Sequence, residues 1–211
     1  MWSIIRFLSP SILFRVIKSL CMRENRNVFE GTPWMPWSVI EWFEQTLAAQ
    51  MSVFEWGSGG SSIFIAQRVR TVVSVEYDVV QFFVLWIHIK LRGLKNLDYV
   101  LVLPEYDKAS SIYASTHAKH SGEDYEKYCK VIERFPDNSF DIISIDGRAR
   151  AACIPLARKK VKVGGYIVVD DSERVSYQDA LATLQDFERI DLGGTGPHLF
   201  YPHKTSIFKK I

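Results

Sequence analysis

The run MSVFEWGSGGSS, residues 51–62, constrains this chain more than any other stretch. Val53 and Phe54 close a short apolar run, and Glu55, Trp56, Gly57, Ser58, Gly59, Gly60, Ser61 and Ser62 follow. Ile63 to Ala66 then opens a helical pattern. A strand that enters a glycine loop and leaves as a helix is the cradle of a nucleotide cofactor. Glycines let the backbone turn through positive φ and approach a ligand closely. The helix start offers free N–H groups to an anionic part of that ligand. The second half of the signal is TVVSVE, residues 71–76, which reads as a buried strand ending in a carboxylate. Glu76 stands 19 positions beyond Gly57. In a doubly wound sheet, an acid at that point accepts the ribose hydroxyls of a cofactor.

The loop also discriminates between cofactors. The dinucleotide fingerprint is G-x-G-x-x-G, and here Gly57-x-Gly59 is followed at the last position by Ser62. Glu55, just before the first glycine, would repel a pyrophosphate but suits a ligand that carries an ammonium group. S-adenosylmethionine (SAM) has a ribose, an amino group, a carboxylate and a sulfonium cation, so the pattern favours SAM over NAD. The candidate cofactor-binding residues are Glu55, Gly57, Ser58, Gly59, Ser61, Glu76, Tyr77 and Asp146.

Four segments, VFEWGSGGSS, VVSVEYD, FDIISIDGRAR and VGGYIVVDDSER, resemble successive motifs of the class I SAM-dependent methyltransferases. The resemblance spans roughly residues 33–211 and leaves 1–32 as an N-terminal amphipathic, basic extension. It implies a doubly wound, mostly parallel seven-stranded α/β sheet (Rossmann-like) with an antiparallel last strand. It also implies methyl transfer from SAM, here to an oxygen or nitrogen of a small molecule. Two rival readings are an NAD-binding oxidoreductase and a non-catalytic methyltransferase-fold scaffold or membrane-associated subunit.

Read in order, residues 1–22 are apolar and basic. Ser9-Pro10 is a helix start, with Ile12, Leu13, Val16, Ile17 and Leu20 on one face and Arg15 and Lys18 off it. The charges argue against a transmembrane span. They leave a helix packed on the domain or on a partner, or one lying in a membrane surface. Ser38 is expected to cap a helix over about 38–49, and Trp34 and Trp37 precede it. Helices follow over 61–69 and 79–92, and a third strand over 98–103. Residues 104–122 lack a period, as a functional or mobile loop does. Glu105 or Asp107 could reach an adenine there, and His117 and His120 read as solvated rather than metal-binding. Helix 123–134, strand 139–145, helix 149–161 and strand 166–169 come next. Helix 176–187 and closing strands 187–192 and 205–208, joined by a loop over 193–204, complete the chain.

Successive strand–helix units place Glu55, Glu76, Asp146, Asp170 and Asp171 on one rim, at the carboxyl ends of the strands. Asp146 is the candidate catalytic base or acceptor-orienting group, and Arg148, Arg150 and Arg174 are candidate clamps for an anionic substrate. Catechol-type relatives bind Mg²⁺ at the ends of these same two strands through an Asp and an Asp-Asn pair. Here Asp146 and Asp170 are joined by Asp171 in the asparagine's place, so Mg²⁺ stays possible but not favoured.

Composition narrows the partners. A net charge of +2 in 211 residues gives no strong signal for nucleic acid. Three scattered cysteines, Cys21, Cys129 and Cys153, suggest no disulfide framework and point to a reducing, cytoplasmic compartment. A small-molecule substrate is the expected partner, with peripheral membrane contact through the N-terminal helix as a further possibility.

Overall fold

The structure is a computed structural model that describes residues 9–20, 25–106, 112–114 and 120–211. The chain opens with helices α1 (Pro10–Leu20), α2 (Arg26–Glu30) and α3 (Trp37–Thr46). Strand β1 (Ser52–Trp56), helix α4 (Gly60–Ala66), β2 (Thr71–Glu76), α5 (Val79–Leu91) and β3 (Leu97–Leu101) make the first winding. A short antiparallel pair, β4 (Glu105–Tyr106) and β5 (Glu123–Asp124), leads to α6 (Glu126–Cys129) and a 3-10 turn. The second winding is β6 (Phe140–Ile145), α7 (Arg150–Lys160) and β7 (Val161–Asp170), followed by α8 (Gln178–Ala182). The hairpin of β8 (Glu188–Gly196) and β9 (Leu199–Lys209) ends the chain.

The main sheet has seven strands in the order β3-β2-β1-β6-β7-β9-β8. β9 alone runs antiparallel to its neighbours, β7 and β8. The expected fold class is therefore the observed one. The central parallel strands β1 and β6 are buried on both faces, as helix-covered strands must be. Their alternation divides the core. Phe54, Trp56, Ile143, Ile145, Ile167 and Val169 pack towards α7 and α6, whereas Val53, Ile142, Val168 and Ile207 pack towards α3 and α4. Asp141 locks the start of β6 by accepting the Ser52 N–H at 2.8 Å and pairing with Lys162 at 2.8 Å.

Several elements differ from expectation for local reasons. The hairpin strands run on through 193–196 and 199–204, so all of that segment but the turn at 197–198 is sheet and not loop. β7 begins before its glycines: Gly164 (φ +80°) bends it, and a Cβ on Gly165 would lie 2.7 Å from the Asp141 carbonyl. Ser38 does not cap α3; its hydroxyl donates to the Gly193 carbonyl at 3.1 Å and ties the helix to the hairpin. The cap that sequence reading missed is Asp78, whose carboxylate accepts the Val80 and Gln81 N–H groups at 2.7 and 2.9 Å. The 123–134 segment is a strand, one helical turn and a 3-10 turn instead of a helix. Residues 26–32 are built into the domain: Val28 is fully buried, and the Asn27 and Thr32 carbonyls cover Gly60.

Candidate active site

The rim reached by β1, β2, β6 and β7 opens into a cavity of about 810 Å³. One side is the loop Gly57–Ser61 with Glu76, Tyr77 and Asp78. The floor is Asp146, Gly147, Arg148, Arg150, Asp170 and Asp171. The far side is Trp34 with His198, Leu199, Tyr201 and His203 of the hairpin, and Arg15 and Ser19 of α1 stand at the edge.

The loop is shaped by the protein as much as for a ligand. Gly57 has φ +88°, and a Cβ there would lie 2.4 Å from the Asp146 carbonyl. Gly60 is equally confined, 2.0 Å from the Thr32 carbonyl. Gly59 differs: its Cβ would meet only the Asn27 Nδ2, at 3.5 Å, so its backbone is the part open to a ligand. Glu76 is held rigidly at the end of β2. One carboxylate oxygen accepts the Tyr77 and Asp78 N–H groups at 2.8 Å, and the other accepts the Ser58 hydroxyl at 2.5 Å. Burial pushes this carboxyl up to about 7, against the pull of the Asp78 N–H and the Ser58 hydroxyl. Tyr77 is positioned by Arg148, whose Nε donates to the phenol oxygen at 3.0 Å. The other end of that guanidinium reaches His120, which is paired in turn with Glu123.

Four sequence-based assignments need correction. Glu55 does not face the cavity. It shares the Val53 face of β1, is fully buried, and its carboxylate accepts hydroxyls from Ser61, Ser62 and Ser74. Burial raises its carboxyl and the three serines offset part of that rise. Arg150 is not a free substrate clamp. Its guanidinium bridges Asp146 at 2.8 Å, Asp170 at 3.1 Å and Asp171 at 3.2 Å. Arg174 likewise is bound to Asp171. Asp146 therefore faces the cavity as one member of an ion cluster. Burial and then the neighbouring Asp170 hold its carboxyl well above the usual range, with Arg150 pulling it back. A divalent cation does not fit among the three aspartates, because a guanidinium already lies between them. Glu105 lies away from the cavity in β4, paired with Lys127 at 2.8 Å. Asp107 and His117 lie outside the described residues.

The hairpin brings in groups that sequence reading missed. His203 Nδ1 lies 2.7 Å from a carboxylate oxygen of Asp171, which accepts its hydrogen. The ring's Nε2 is buried and has no hydrogen-bond partner. Leu199, Tyr201 and His203 alternate along β9 and all reach the cavity. That period of two was the available signal.

No family model and no curated protein matches the chain. The fold is shared with solved structures that are 10–15% identical, methyltransferases among them. An O-methyltransferase from Bacillus cereus, in complex with S-adenosylhomocysteine (SAH), has a TM-score of 0.58 at 15% identity, over 99% of this chain and 94% of its own. An rRNA methylase from Streptococcus thermophilus has a TM-score of 0.56 at 10% identity, over 81% and 93%. The 4+2 cyclase SpnF has a TM-score of 0.55 at 13% identity, over 94% of each.

Proposed function

We propose that the protein is a SAM-dependent methyltransferase that acts on an oxygen or nitrogen of a small molecule. The observation that carries this reading is one continuous cavity in which a glycine loop and a pinned strand-end carboxylate face an aromatic wall. Its volume falls within the roughly 300–1,000 Å³ of small-molecule sites. Glu76 would hold the ribose hydroxyls, displacing the Ser58 hydroxyl from its second oxygen, and the backbone from Gly57 to Ser61 would hold the methionine end. When bound, SAM supplies a methyl carbon on a sulfonium, and that bond's electron pair stays with sulfur. The protein's own work is to position the acceptor and to take its proton. Trp34, Leu199 and Tyr201 wall the acceptor side. His203 Nε2 is the proton acceptor in place of Asp146, since the Asp146 carboxylate is engaged by Arg150. Asp171 keeps the hydrogen on Nδ1 and stabilises the imidazolium that forms.

A thermal-shift comparison tests this reading against its rivals. SAM and SAH should each raise the melting temperature in proportion to the logarithm of their concentration, and NAD should not. Stabilisation by NAD alone would favour the oxidoreductase. Stabilisation by none of the three would favour the scaffold.

A further inference from the structure

The apolar stripe of α1 is wider than the fold uses. Ile12 and the buried Val16 pack against α5. Arg15 and Ser19 turn towards the cavity edge. Leu13, Phe14 and Ile17 lie on the outer side, where 39%, 68% and 55% of their surfaces meet solvent. Lys18 is exposed beside them. A helix held by one edge, with a second apolar edge facing out, has a surface suited to a further partner.

Charge selects that partner. No acidic residue occurs before Glu24, whereas Arg6, Arg15, Lys18 and Arg23 are all basic. A protein surface of mixed charge would find no acidic partner there for its own basic groups, whereas an anionic headgroup layer suits a segment whose charges are all positive. Lys18 can lay its alkyl stem along the apolar edge and lift its ammonium to a phosphate. Among the described residues, no helix is long and apolar enough to cross a membrane. The outer edge of α1 has the apolar-plus-basic character of a helix that lies along a membrane surface. We infer that the outer face of α1, through Leu13, Phe14, Ile17 and Lys18, docks on an anionic lipid bilayer. Because Arg15 and Ser19 of the same helix edge the cavity, docking would place the cavity mouth beside the headgroups. The inference does not depend on the cofactor reading, since vesicle binding requires no SAM.

Flotation of the full chain with phosphatidylcholine vesicles, with and without phosphatidylglycerol, tests it. The expected result is flotation with the anionic vesicles only, lost in about 0.5 M salt, where the screening length is a few ångströms. The pair Phe14→Glu and Ile17→Glu should lower the bound fraction by about ten-fold or more. These side chains are exposed, so the melting temperature should not change. Wild-type protein that stays with the unbound fraction would overturn the proposal, as would a double variant that floats as well as wild type. A wild-type dimer that ignores vesicles and becomes monomeric in the double variant would also overturn it, because the face would then belong to a second copy.

Discussion

Arg150 decides more of the local chemistry than any other single residue. It sets one guanidinium against three carboxylates at two strand ends. Replacing it by Met should destabilise the fold by about 3–5 kcal/mol, the range for a buried ion cluster that loses one partner. The sign of the pH dependence follows from the Asp146 carboxyl, which is already raised in the folded state. Without the cation, the aspartates fold most readily when protonated and repel when ionised. The loss of melting temperature in Arg150→Met should therefore be larger at pH 8 than at pH 5, and an equal loss at both would count against the cluster. His203→Gln should leave SAH affinity unchanged and slow methyl transfer to any accepted substrate by about 100- to 10,000-fold. A loss of SAH affinity instead would assign His203 to binding. These residues also show where sequence reading stops. Glu76 was readable because a strand end determines where its side chain goes. Glu55 was misplaced because spacing alone does not say which sheet face it takes, and that face lies beneath α4. The union of Arg150 with aspartates 20 residues away depends on strand order, which a linear pattern does not display.

At the scale of elements, the glycine loop and α2 act as one unit. Gly60 is pressed under the Thr32 and Asn27 carbonyls, at 2.0 and 2.4 Å from where a Cβ would stand. Gly60→Ala should cost about 1–3 kcal/mol or more, as overpacking does, and should speed amide exchange across residues 26–32. Unchanged exchange there would show that α2 does not depend on the loop. The strand–loop–helix order and the parallel strands were legible because their apolar runs are long and buried on both faces. The hairpin was partly missed because Gly193, Gly194 and Gly196 imitate loop composition. Backbone pairing to β9 overrides that signal, with Gly193 opposite Lys204 and Gly194 opposite His203. The consequence for the site is direct, since the misread stretch supplies His198, Leu199, Tyr201 and His203.

The whole molecule is a doubly wound sheet whose carboxyl rim carries a glycine loop, a fixed carboxylate and a histidine backed by an aspartate. α1 and the hairpin both contribute side chains to the cavity at that rim. Isothermal titration with SAH, of wild type and of Glu76→Ala, tests the central claim that a sulfonium nucleoside is held across Gly57–Ser61 with its sugar on Glu76. Glu76→Ala should lose about 1–3 kcal/mol of binding, because hydrogen-bonded groups are left unpaired. The wild-type pH profile adds an independent check. The Glu76 carboxyl sits at about 7 in the free protein, and hydroxyls donate best to its ionised form. Affinity should therefore rise as the pH is raised towards about 7 and level off above it, with a proton released on binding below that point. Equal affinity of the two proteins for SAH, with no proton released at pH 6, would contradict the assignment.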